Sequence, residues 1–149
     1  MLTVVFRWIE ASTLASAIRQ STWLYPFIEI IHIIGIVLVA GGAIFFDIQL
    51  LSTAKKQLID NRYLVVWSKR GLVLAILSGL LLFSTNAIAL STDLVFGLKL
   101  LLLLLAVINA WVFHMRVGLP AHEATVRHHA IASIILWVSI ISCGRLLAY

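Results

Sequence analysis

The sequence predicts an all-α fold, a transmembrane four-helix bundle with an N-terminal interfacial amphipathic helix. Three observations lead there. The chain of 149 residues is 62% hydrophobic and only 11% charged, an apolar excess that a water-soluble domain of this size does not carry. Runs of about 20 apolar residues, enough to cross a bilayer core as helix, recur along the chain. Amphipathic rings mark the ends of those runs, at Trp23, Tyr25, Trp67, Trp111 and Tyr149, as expected beside lipid headgroups. No length remains for a second domain, so residues 1–149 read as one integral membrane unit.

The elements follow in order. The stretch LTVVFRWIEASTLASAIRQ sets Val4, Val5, Trp8 and Ile9 against Arg7 and Glu10. It is too polar to span and reads as a short helix along the membrane surface, or equally as an arm packed on the bundle. Interrupted by Glu10, it does not read as a signal peptide. The spans are expected at about 24–51, 65–90, 94–113 and 128–148. Only Ser91–Asp93 separates spans two and three, so those helices are expected as antiparallel neighbours. The links near 52–63 and 116–127 are longer and polar. Gly71, Ala75 and Gly79 form a small-residue stripe that permits close helix approach, and Ala40–Ala43 does the same in span one.

Charge gives an orientation. Lys55, Lys56, Arg62, Lys69, Arg70, Arg116 and Arg127 lie beside the two long links, against Arg7, Arg19 and Arg145 on the other side. This asymmetry puts the links in the cytoplasm and both termini outside, which in a bacterial inner membrane is the periplasm. The pI near 9.9 then reports orientation and contact with the lipid bilayer, not nucleic acid. The single cysteine, Cys143, excludes an internal disulfide and any cysteine-based zinc or iron–sulfur site.

Four ionisable groups fall within the spans: Glu29, His32, Asp47 and Lys99. Such groups are costly in lipid and face the bundle interior or a partner. At 1.5 Å rise per residue, Glu29 and His32 lie about 7 and 12 Å below the start of span one, and Lys99 about 8 Å below the start of span three. The three therefore share one level. A structural ion pair of Glu29 with Lys99, with His32 hydrogen-bonded nearby, explains them simply. Two features favour a bound group instead. His32 shares its helix face with Ile36, Val39 and Ala43, and Lys99 is followed by Leu100 to Leu105, so neither gains a polar neighbour from its own helix. A flat apolar macrocycle with an axial imidazole fits, because haem sites in bundles use side chains on facing helices. The spacing Glu-x-x-His also occurs in di-iron bundles, but it appears here once and no other span offers a buried Glu.

Two weaker constellations remain. His114 ends span three, His128 and His129 begin span four, and His122 lies in the link. They read as solvated interfacial histidines, or as a second haem or metal site through imidazole nitrogen. At the C-terminus, Arg145 and Tyr149 lie at the level of the outer cluster. Arg145 is placed to pair with a haem propionate or Glu29, or to snorkel to headgroups.

These residues resemble a bacterial family of unknown function. The runs STWLYPFIEIIHIIGIVLVAGGAIFFDIQLL, WSKRGLVLAILSGLLLF, FGLKLLLLLLAVINAWVFH and ASIILWVSIISCGRLLAY look like those of its short four-span membrane proteins, which carry a histidine–glycine motif in span one and a C-terminal Gly-Arg-x-x-Ala-Tyr. More distantly, the span-one His with the span-three Gly-x-Lys-Leu-Leu is similar to copper-resistance D membrane domains and to HemJ-type protoporphyrinogen oxidases. In the latter, a span-one histidine and a lysine are implicated in haem binding, and His32 and Lys99 are the positions that carry over. The wider HemJ pattern is not evident, so oxidase activity is not implied. Met1 and Met115 are the only methionines, too few for soft-ligand copper handling.

The expectation is a membrane haem b protein for electron transfer, or a membrane subunit of a redox complex. His32 is the expected axial ligand and Lys99 the second ligand or propionate partner, with Glu29, Arg145 and Tyr149 in support. The alternative is a non-redox accessory or ion/copper-transport protein with a buried Glu–His–Lys cluster. A porphyrin-related oxidoreductase is the third option. A larger membrane redox complex or a homo-oligomer is the expected assembly.

Overall fold

The computed structural model describes residues 2–52, 62–116 and 123–147. Every element among them is helical: α1 (Leu2–Glu10), α2 (Thr13–Gln20), α3 (Leu24–Ser52), α4 (Arg62–Thr85), α5 (Ala87–Thr92), α6 (Leu94–Arg116) and α7 (Glu123–Leu146). Helices α3, α4, α6 and α7 are long and apolar enough to cross a membrane. The chain is a multi-pass integral membrane protein built as a four-helix bundle. One end of the bundle carries α1, α2, α5 and the C-terminal end of α7. It is called here the terminal end, and the opposite end, where α3 runs out and α4 begins, the loop end.

Helix α3 is the hub. It packs along α4 on one side and α7 on the other, and α7 in turn packs on α6. Glycines permit the α3–α4 approach. A Cβ at Gly35 would lie 2.7 Å from the Ala75 nitrogen, and one at Gly71 would lie 2.7 Å from the Val39 nitrogen, so any side chain at either position would force the helices apart. The centre between α3, α6 and α7 is apolar, with Val39, Ala40, Ala106, Trp137 and Ile140 buried together.

Two expectations change. Span two is helical only to Thr85, and Asn86 separates it from the short α5. Spans two and three are also not packed backbone to backbone, since no Cα atoms of α4 and α6 come within 8 Å. They meet through side chains at the terminal end, where Phe83 stacks on Phe96 with ring centroids 5.5 Å apart.

The single expected N-terminal helix is two helices. Ser12 divides them and caps α2, its Oγ accepting from the Ala15 N–H at 3.2 Å. Together they behave as an arm on the bundle: Ala15 and Ile18 are buried, and Phe6 meets Phe83 edge to face. Val4, Val5 and Trp8 stay exposed, an apolar face suited to the membrane surface. The arm also secures the break in span two. Arg19 donates to the Thr85 carbonyl at the end of α4 (2.9 Å), and Glu10 accepts from the Ile88 N–H at the start of α5 (3.0 Å). Each charge sits where the helix terminus leaves an unpaired group and a dipole of opposite sign.

Candidate functional site

Near the terminal end, all four long helices contribute to one polar layer. His32 comes from α3, Ser78 and Gly79 from α4, Lys99 from α6, and Cys143 and Gly144 from α7. His32, Lys99 and Glu29 were expected at one level from helix depth; of the two charges acting on the His32 ring, Lys99 acts more strongly than Glu29. The Lys99 ammonium reaches across to α7, where a Cβ at Gly144 would lie 3.5 Å from Nζ. The buried Cys143 thiol lies within its electrostatic range.

The His32 ring has an anchor. Its Nδ1 is 3.0 Å from Ser78 Oγ, and the single Ser78 hydroxyl proton is directed 2.6 Å to the Leu74 carbonyl one turn back. With that proton committed, Nδ1–H is the donor toward Ser78 Oγ, the Ala75 carbonyl also bonds the ring, and in this tautomer the neutral ring carries its lone pair on Nε2. Ser78 is buried, 3% exposed, so this bond is shielded from water. Gly79 lies against the ring: a Cβ there would come within 3.0 Å of Cε1. The small-residue stripe thus divides its work. Gly71 and Ala75 seat α4 on α3, and Gly79 makes room for the imidazole.

Other expected site residues are placed differently. Glu29 lies on the exposed side of α3 and acts on His32 only at range, after Lys99. Among the described residues it forms no ion pair with Lys99; the bridge present there is Arg19–Glu10 at 3.8 Å. Arg145 is exposed at the end of α7. Tyr149, and His122 in the link, lie outside the described residues.

At the loop end the polar groups form two separate pairs. His129 of α7 and Asn109 of α6 bond reciprocally: Asn109 Nδ2 donates to the His129 carbonyl at 3.1 Å, and Nδ1 of His129 meets Asn109 Oδ1 at 2.8 Å. His114 and His128 are exposed. Among the described residues no three or more His, Cys, Asp or Glu side chains are grouped to hold a metal ion. The second pair is Asp47 of α3 with Ser133 of α7. Asp47 is 7% exposed and its Oδ2 has no hydrogen-bond partner.

Sequence reasoning did not single out Ser78, Asn109 or Ser133 for the site, and took Cys143 only as a count. Each is a small or neutral polar residue on an apolar helix, whose role depends on which face meets a neighbour. Comparison with known protein families, curated proteins and solved structures finds no match. The function rests on the side chains themselves.

Proposed function

We propose that this integral membrane protein binds haem b in the terminal-end layer and serves in electron transfer or as the membrane subunit of a redox complex. The observation that carries this reading is the His32 imidazole, fixed through Nδ1 by Ser78 with Nε2 left as a ligand atom. The donor set fits the group. A bare metal ion in a protein takes three or four side-chain ligands, which the layer does not offer among its described residues. A porphyrin brings its own four equatorial nitrogens and asks the protein only for axial donors. His32 would supply one. Lys99 would supply the other as a neutral amine, or a cation for a propionate. The α4–α6 flank, without close backbone contact, is the side of the layer best suited to a planar guest. When bound, haem would supply a one-electron couple, and these residues would orient it and set its surroundings. The resemblance of His32 and Lys99 to the haem-associated positions of HemJ-type proteins points the same way.

A bacterial inner-membrane setting with periplasmic termini belongs to the same proposal. It is supported by Lys69, Arg70 and Arg127 near the loop end, where Arg70 lies over the Trp67 ring at 5.4 Å. The test is the optical spectrum of the purified protein. A Soret band that is lost in His32→Ala supports haem, and a colourless, folded wild-type preparation sinks it.

A second reading, a non-redox accessory or ion-transport protein, is favoured by Asp47. Its buried, unpaired Oδ2 is a group that haem binding does not use, and intramembrane carboxyls of this kind mark ion and proton paths. A colourless protein with an ion or copper phenotype sensitive to Glu29→Gln or Asp47→Asn would select this reading.

A further inference from the structure

The loop end of the core holds a buried acid that neither the helix packing nor the proposed haem layer uses. Asp47 of α3 is 7% exposed, and its Oδ2 is sealed from solvent without a hydrogen-bond partner. Five residues, about 8 Å of helical rise, separate it from the end of α3 at Ser52. One turn toward the bundle centre, Ala43 and Ile44 of α3 pack against the apolar cluster of which Trp137 of α7 is part. Ser133, one turn before Trp137 on α7, bonds the carboxyl.

Something must balance this group, because an isolated carboxylate taken out of water is among the costliest states a protein can hold. The candidates are a basic side chain, a metal cation, an ordered water and a proton. Basic side chains at this end do not supply the first. Lys69 and Arg70 of α4, His114 of α6, and Arg127 and His128 of α7 are exposed, and His129 is held by Asn109. Among the described residues, the group acting on the Asp47 carboxyl is the Ser133 hydroxyl.

A metal cation fails on ligands. Hard cations take about six to eight oxygens, and a carboxylate with one hydroxyl falls well short. Among the described residues no group of three His, Cys, Asp or Glu side chains forms either. A buried water would leave the charge in place and needs further polar partners of its own. A proton needs neither space nor more ligands. It removes the charge, and Oδ2 changes from half of a buried anion to an unmatched dipole, which costs far less. The Ser133 hydroxyl suits the acid form because it can donate or accept.

We propose that Asp47 is a proton-binding site: in the folded protein its carboxyl holds a proton and bonds Ser133 as a neutral acid. The use of that proton in transport rests on the second reading above; its presence on Asp47 does not.

The test is infrared difference spectroscopy of the full chain in nanodiscs of ether-linked phosphatidylcholine, whose lipids carry no ester carbonyl. At about pH 6, where an ordinary aspartate is ionised, the expected result is a carboxylic-acid C=O band that shifts down in D2O and is lost in Asp47→Asn. Ser133→Ala moves the band to higher frequency by removing its hydrogen bond, and this arm decides the matter should Asp47→Asn fail to fold. Sodium or potassium chloride leaves the band in place. Absence of an acid band at this pH, a band that survives Asp47→Asn, or one that bleaches in either salt overturns the proposal. Bleaching would assign the site to a metal cation and leave the second reading standing. An intact band with no ion phenotype in Asp47→Asn supports the proton and removes only the transport reading.

Discussion

His32 and His129 are anchored alike, each held through Nδ1 by a neutral side chain of a neighbouring helix, yet their free nitrogens meet different surroundings. Around His32 four helices converge, and the nearest groups are a glycine, a lysine and a serine whose hydroxyl is already committed. Around His129, α6 supplies the bonding partner Asn109 and the edge-on ring Phe113, which itself packs on Phe46 of α3. The same fixed imidazole becomes a candidate metal ligand in one place and a tie between two helices in the other. What distinguishes them is the partner: Ser78 bonds only the His32 ring, whereas Asn109 holds both the ring and the backbone carbonyl of His129.

The largest expected effect separates the two sites outright. His32→Ala abolishes the Soret band and His129→Ala leaves it intact; loss of the band in His129→Ala would reverse the assignment. Next comes the anchor. Ser78→Ala frees the His32 ring to turn, and haem affinity measured by titration of the apoprotein falls about 10- to 100-fold, as for other groups that orient a ligating histidine. Asn109→Leu leaves the haem titration unchanged but removes both bonds to His129. A loss of about 1–2 kcal/mol is expected, measured by unfolding in mixed micelles. The smallest effect is at Asp47. Asp47→Asn keeps the shape and an oxygen for Ser133, and because Oδ2 has no partner to lose, stability should change by less than about 1 kcal/mol. A larger drop would mean that the second oxygen holds something.

The sequence carries the bundle clearly, because apolar length is a strong and local signal. The shared level of His32 and Lys99 was legible for the same reason, since helical rise converts residue number into depth. The partners were not legible. Ser78 looks like any serine in a membrane helix until Gly35 and Gly71 bring α4 close enough to turn it toward His32. Glu29, one turn from His32, was expected to support the site, but helix rotation leaves it exposed. The end of α4 at Thr85 was hidden as well. Ala87 to Leu90 continue the apolar run, and the short polar stretch Ser84–Asn86 is the local mark of a break that Glu10 and Arg19 secure from far along the chain.

That clasp carries a consequence for assembly. Arg19 bonds a carbonyl 66 residues away, and Glu10 an amide 78 residues away. The arm touches α3 as well as α4, but these two helix-end bonds cannot form until the second crossing and α5 have been made. Synthesis runs from the N-terminus at about 5–20 residues per second, so the arm waits several seconds before its charges find the helix ends they neutralise. The clasp is therefore a late-forming contact, closed only when the α3–α4 hairpin and α5 are both present.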